Sequence, residues 1–220
     1  MNKYRSKLLI AMQLCSITLL TLFFAASANA QMIATEKTTI TVPPVPDDVK
    51  VETGNEAFLV GHGVGTQNYS CQPCDSTKPN CPNGVVFTLF TPQATLFNDQ
   101  GEQLITHFFS LNPFEPGVIR VTWENSHDTS TIWAKATGSS TDSHFVNLGA
   151  VAWLRLQVVG ALAGPTGGDK LVKTTFVQRL NTVGGLAPST GCSSSADLGN
   201  KAFVPYTADY FFYKAADGSN

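Results

Sequence analysis

Charged residues are scarce in this sequence, and the basic ones form no cluster. Lysine, arginine, aspartate and glutamate make up 14% of the 220 residues, with 14 basic against 16 acidic side chains. Proteins that bind nucleic acid neutralise phosphates with grouped lysine and arginine residues. The scattered basic residues therefore exclude nucleic acid as an expected partner.

The motifs of common catalytic and cofactor sites are also missing. Gly61, Gly63 and Gly65 have the spacing G-x-G-x-G instead of G-x-G-x-x-G, and no helical pattern follows them, so a dinucleotide site is not expected. GPTGGDK (164–170) lacks the adjacent Gly-Lys-Ser/Thr of a phosphate loop. We interpret both stretches as tight turns or bulges in β-structure. No G-x-S-x-G, H-x-H or H-E-x-x-H pattern is present, so we expect no catalytic residue, no metal site and no cofactor.

The N-terminus has the order of a secretory signal peptide, predicted to span residues 1–30. Lys3, Arg5 and Lys7 form a basic segment, an apolar run follows, and the Ala-Asn-Ala sequence at 28–30 supplies the small residues of a cleavage site. We therefore predict an exported chain that is periplasmic, secreted or at the cell surface. After cleavage, 11 basic and 16 acidic residues remain, a formal charge of −5. We expect no membrane span in this mature chain.

The remainder has the length of one domain with a short arm. Residues 31–54 are rich in proline and polar residues, typical of an extended N-terminal arm, with TTITV as a candidate first strand. Residues 55–220 form a single predicted β domain, with strand-like runs such as VIRVTW, WLRLQVV, VVFTLF and ATLFN separated by clusters of Gly, Pro, Asn and Asp. No long helical stripe lies between these runs. The pattern predicts an all-β fold, an antiparallel β-sandwich or barrel with long loops.

Four cysteines remain after the predicted cleavage: Cys71, Cys74, Cys81 and Cys192. An even number in an oxidising compartment favours two disulfides that staple the domain. Cys71 and Cys74 have the spacing of a redox pair, but the prolines and the Asn-Gly turn that follow argue against the helix that such a pair needs. A zinc knuckle would need a ligand close to Cys192. The redox and metal alternatives stay open beside the favoured disulfides.

Trp123, His127, Asp128 and Trp133 are candidate ligand-binding residues. They lie in WENSHDTSTIW, which predicts a hairpin with His127 and Asp128 at its tip. Aromatic rings with hydrogen-bonding groups beside them suit sugar binding. The alternative interpretation is an ordinary turn in which Asp128 bonds the backbone and both tryptophans belong to the core.

Five blocks of the chain, in order, resemble a secreted family of unknown function: GHGVGTQNYSCQ, LFTPQATLFNDQG, HDTSTIWA, VQRLNTVGGLAPSTGC and VPYTADYFFYK. That family includes fungal appressorium-specific (Mas-type) surface proteins and exported bacterial proteins. Some members are labelled malate dehydrogenase, which the missing dinucleotide fingerprint does not support here. The resemblance implies family cysteines at Cys71 and Cys192, an added loop with Cys74 and Cys81, and no catalytic residues.

We predict that Cys71 pairs with Cys192 and Cys74 with Cys81, one of the three connectivities that four cysteines allow. The chain around Cys81 is rich in proline, asparagine and glycine, turn residues that fold the chain back onto Cys74. Cys71 is then free to reach the segment that precedes the last strand.

The sequence favours a non-catalytic exported or cell-surface binding protein, with carbohydrate or cell-wall material as its candidate partner. The alternative is a secreted, metal-assisted enzyme that uses the scattered histidines His62, His107 and His127. The missing nucleophile, carboxylate pair and metal spacing favour the binding protein.

Overall fold

In the part of the chain that the structure describes, eight antiparallel strands close into one barrel in chain order. The computed structural model describes residues 39–81 and 83–217, so the predicted signal peptide lies outside the described residues. The strands are β1 (Asn55–Pro73), β2 (Val85–Phe97), β3 (Gln103–Leu111), β4 (Ile119–Asn125), β5 (Thr131–Ser140), β6 (Trp153–Leu162), β7 (Thr174–Gly184) and β8 (Lys201–Ala215). β1 pairs with both β2 and β8, so the sheet closes on itself. The all-β prediction is confirmed, and of the two expected architectures the structure has the barrel.

The runs VVFTLF and ATLFN belong to one strand, β2, although the sequence suggested two. Pro92 lies between them and has no N–H to donate to a neighbouring strand. β2 pairs with β3 only from Ala94 to Phe97, whereas its pairing with β1 extends down to Val85. Pro92 therefore ends the ladder between β2 and β3 without ending β2.

Apolar side chains fill one half of the barrel interior. Leu96, Ile105, Ile132 and Phe212 are each 0% exposed and belong to one cluster. They come from the strand ends near the β2–β3 turn. Burial of such surface is the main favourable contribution to folding.

Gly61, Gly63 and Gly65 lie on β1 and not in a turn. A Cβ atom at Gly63 would lie 2.8 Å from the ring of Tyr210, so the missing side chain lets this ring pack against the strand. The interpretation as a turn or bulge is therefore wrong for this stretch. It is confirmed for residues 164–170, where Gly167 has a φ of 88°.

The described part of the N-terminal arm packs on the outside of the barrel. Val49 is 0% exposed in a second apolar cluster that also contains Trp153. Gln178 Nε2 donates to the Val49 carbonyl oxygen at 2.6 Å, and Arg155 Nη1 donates to the Lys50 carbonyl oxygen at 2.8 Å. Residues 39–46 form no strand, so the described part of TTITV is not the first strand that the sequence suggested.

Two disulfides lie at the end of the barrel where β1 finishes. Cys71 is bonded to Cys192, 121 residues away, and Cys74 is bonded to Cys81, 7 residues away. These are the pairings expected from the sequence. The first bridge joins the end of β1 to the loop between β7 and β8. Among the described residues, no helix has the length and apolar character to span a membrane.

Candidate functional site

A cavity of about 390 Å³ occupies the other half of the barrel interior. It opens at the end that carries the Cys71–Cys192 disulfide, where the loops after β5 and β7 contribute Thr141 and Leu186. Its volume lies within the range of small-molecule sites. Most of its wall is apolar, including Leu89, Phe109, Val121, Leu154 and Leu156.

Three aromatic side chains in mutual contact form the inner end of this cavity: His107, Trp123 and Tyr210. The His107 and Trp123 rings are stacked, with centroids 4.6 Å apart, and the Tyr210 ring lies 5.1 Å from His107. None of the three side chains is more than 3% exposed. This aromatic group lies between the cavity and the filled half of the barrel.

His107 is a neutral imidazole in the folded protein. Its Nδ1 lies 2.9 Å from the Thr122 carbonyl oxygen, an acceptor, so Nδ1 carries the proton and Nε2 is left as an acceptor. Burial lowers the pKa of His107 to about 3; the bond to Thr122 opposes this shift, and the charge of Arg179 adds to it. The ring therefore carries no charge near neutral pH.

Arg179 is the charged residue of the cavity wall. It lies on β7 and is half-buried, opposite Leu154 of β6 and Tyr210 of β8. Its Nε and Nη2 donate to the Ala152 carbonyl oxygen at 3.2 and 2.8 Å. None of the described residues that line the cavity is acidic, and no ion pair joins Arg179 to a carboxylate in the described ranges.

Among the described residues, two buried N–H groups of the cavity wall make no hydrogen bond. Gln67 Nε2 and Trp123 Nε1 make no hydrogen bond to the described part of the chain. Burial raises the pKa of the Tyr206 hydroxyl, and the nearby Gln67 amide lowers it. The geometry between these two groups is not that of a hydrogen bond. Unsatisfied buried donors are unfavourable, and they give the wall an excess of donors.

A more open groove of about 730 Å³ lies outside the barrel, along the seam between β2 and β3. Val64 and Thr95 line only this groove, whereas Pro92 and His107 line both the groove and the interior cavity. The seam exists because Pro92 ends the β2–β3 ladder. The interior cavity is the better small-molecule site, because its walls surround a ligand and its aromatic end offers flat rings for contact.

The structure separates the four residues that the sequence suggested for sugar binding. Trp123 is fully buried at the cavity, and Trp133 is 6% exposed, with Nε1 donating to Ser110 Oγ at 2.8 Å. His127 and Asp128 lie together in the turn between β4 and β5. A sugar at this tip would therefore contact His127 and Asp128 and neither tryptophan ring.

Asp128 holds the hairpin tip to the loop that follows β6. Its Oδ1 accepts hydrogen bonds from the Ser130 amide at 2.9 Å and the Ser130 hydroxyl at 2.7 Å, and its Oδ2 accepts one from the Lys170 amide at 2.9 Å. Burial raises the pKa of Asp128, but the hydrogen bonds together lower it by a larger amount, so the pKa lies below its ordinary value.

Replacing Asp128 by alanine is expected to lower the free energy of unfolding by roughly 1–3 kcal/mol, because Ser130 and Lys170 lose their acceptor. The exposed neighbour His127, replaced by alanine, is the control. It loses one exposed hydrogen bond, from Nε2 to the Gln103 carbonyl oxygen at 3.0 Å, and should change stability by no more than about 1 kcal/mol. Urea unfolding measures both. Equally small effects would contradict the structural role of Asp128 and favour its role in ligand binding.

The three histidines of the metal-assisted alternative lie in different places. His107 is inside the barrel, His127 is at the hairpin tip, and His62 is on the outer face of β1. His62 Nδ1 lies 2.7 Å from Asp209 Oδ1, and Nε2 lies 2.9 Å from Asp99 Oδ1; these two hydrogen bonds raise the pKa of His62. Within the described ranges, no group of three His, Cys, Asp or Glu side chains has a metal-binding arrangement.

Gln67, Arg179 and Tyr210 were not predicted from the sequence as site residues. They come from β1, β7 and β8, and only barrel closure brings them together. The one available signal was Arg179 in TTFVQRL, where it shares a strand face with the apolar Val177.

The model of one protein family matches residues 52–214 of this chain, and its description is "Protein of unknown function (DUF3455)". The matched range includes all eight strands except the last residue of β8. No curated protein and no solved structure matches the chain.

Proposed function

We propose that this chain, which belongs to the DUF3455 family of proteins of unknown function, is a non-catalytic protein that binds a small apolar molecule. The ligand occupies the barrel cavity. The observation that carries this proposal is the apolar cavity of about 390 Å³ that ends on His107, Trp123 and Tyr210.

The shape and chemistry of the cavity support a small ligand. An eight-stranded barrel has an interior of a size that holds one small molecule. Apolar walls favour an apolar ligand because its surface leaves water. The flat rings of His107 and Trp123 suit contact with a planar or chain-like body.

The polar residues of the cavity support binding more than catalysis. His107 is the one described imidazole in the wall. Burial lowers its pKa to about 3, which makes it a weak general base near neutral pH. The alternative of a secreted, metal-assisted enzyme has no cluster of ligands to support it among the described residues.

We place this binding protein outside the cytosol, in the periplasm, at the cell surface or in the medium. The signal-like residues 1–30 and the paired cysteines support this location. The resemblance to Mas-type surface proteins and exported bacterial proteins agrees with it. Carbohydrate binding at His127 and Asp128 stays a separate hypothesis, and a glycan-array screen of the His127 and Asp128 variants tests it.

A variant that fills the cavity tests the proposal. Ala136 lines the cavity and pairs with the buried Leu156 of β6, whereas its neighbour Lys135 pairs with the exposed Gln157 on the outer face. We expect the wild type to bind N-phenyl-1-naphthylamine, an uncharged dye that fluoresces in apolar surroundings, at one saturable site. Ala136→Trp should weaken this binding by about tenfold or more, since the new indole occupies the ligand's volume.

Lys135→Trp is the matched control, because it adds the same side chain outside the barrel and should leave dye binding unchanged. Circular dichroism verifies that both variants keep the β-fold. Dye binding that survives Ala136→Trp unchanged, or wild-type protein that binds no dye, would contradict the proposed function.

A further inference from the structure

We infer that the ligand of the cavity carries a carboxylate and that Arg179 binds this group. The inference rests on the proposed function, which concerns only the apolar body of the ligand. It specifies that the ligand is negatively charged and that its charged end lies at Arg179.

The first support is the missing counter-charge. Arg179 lines the cavity among residues that are apolar or neutral near pH 7, and none of the described lining residues is acidic. A half-buried guanidinium is normally paired, because an unpaired buried charge is unfavourable. A bound carboxylate supplies the missing negative charge.

The second support is the geometry of the guanidinium. Nε and one N–H of Nη2 are used by the Ala152 carbonyl oxygen. Of the remaining N–H groups, at least one lies near the Tyr210 hydroxyl. One N–H of Nη1 and one of Nη2 point in parallel, and such a pair matches the two oxygens of a carboxylate. The neighbouring Tyr210 hydroxyl is a weaker, neutral acceptor; burial raises its pKa and Arg179 lowers it.

The third support is the character of the other polar groups. Gln67 Nε2 and Trp123 Nε1 are further donors without acceptors. His107 adds no positive charge, since its pKa lies at about 3, so Arg179 is the one cation that the described wall offers to an anion. The carboxylate then lies at Arg179, opposite Leu154, and the apolar body lies toward Leu156 and Trp123.

Two probes of the same shape separate the charge from the apolar body. 2-Naphthoate carries a carboxylate, and 2-naphthamide replaces it with a neutral amide. In isothermal titration calorimetry, the wild type is expected to bind 2-naphthoate about tenfold or more tightly than 2-naphthamide, because hydrogen bonds between charged groups are stronger than neutral ones. Arg179→Met should remove this preference while 2-naphthamide still binds.

Arg155→Met is the matched control. Arg155 lies on β6, the strand next to β7, and bonds the Thr137 and Lys50 carbonyl oxygens outside the cavity. It should keep the full preference for 2-naphthoate. Equal binding of both probes by the wild type, or a preference that survives Arg179→Met, would overturn the inference but leave the proposed function standing. If the wild type binds neither probe, the proposed function itself fails.

Discussion

Removing the Cys71–Cys192 disulfide is expected to lower the free energy of unfolding by about 5 kcal/mol, the chain-entropy value for a loop of this length. The bridge closes a loop of 121 residues, so its loss frees most of the barrel in the unfolded state. Cys192→Ser combined with Cys71→Ser leaves no free thiol from this pair. Urea unfolding followed by circular dichroism measures the change.

The Cys74–Cys81 disulfide provides the comparison, because it closes a loop of only 7 residues. The double change Cys74→Ser, Cys81→Ser should lower the free energy of unfolding by about 2–3 kcal/mol in the same model. Equal losses in the two double variants, or a loss below about 1 kcal/mol for the long loop, would show that Cys71–Cys192 is not the main staple.

His107 is expected to make the fold sensitive to acid. Its pKa is about 3 in the folded protein, whereas the unfolded chain takes up the proton below its ordinary value of about 6.5. The contribution of His107 to the free energy of unfolding is therefore constant above pH 6.5 and decreases as the pH falls toward 3. Between pH 7 and pH 4, His107 alone should lower the free energy of unfolding by about 3 kcal/mol.

His107→Gln tests this because glutamine does not titrate and can still donate to the Thr122 carbonyl oxygen. Urea unfolding of both proteins at pH 7 and pH 4 gives the comparison, and the carboxylates titrate alike in the two proteins. The variant should lose about 3 kcal/mol less than the wild type over this interval. An identical loss in both proteins would mean that His107 has the same pKa in the folded and the unfolded chain, which contradicts the buried neutral ring.

The sequence was sufficient to predict most of the strands but not the closed barrel. Alternation in VIRVTW and WLRLQVV reflects a strand with two different faces, which a sandwich and a barrel share. Closure depends on the pairing of β1 with β8, where Gly63 lies opposite Ala208. Those partners are far apart in the sequence, and no local pattern records their contact.

The cavity was harder to predict than the fold. Trp123 was predicted as a ligand-binding residue of a surface hairpin, whereas the structure places it in the wall of the interior cavity. Arg179 was not selected from the sequence, because its partial burial depends on strands β6 and β8 beside it. The cavity depends on how side chains from many strands pack around it, and no local sequence pattern indicates where this packing leaves a space.

The position of a bound apolar probe tests the central claim most directly. In the complex with N-phenyl-1-naphthylamine, intermolecular nuclear Overhauser effects should connect the dye to the methyl groups of Val121, Leu154 and Leu156, which line the interior cavity. Contacts with Val64 of the outer groove in place of these three residues would contradict a ligand site inside the barrel.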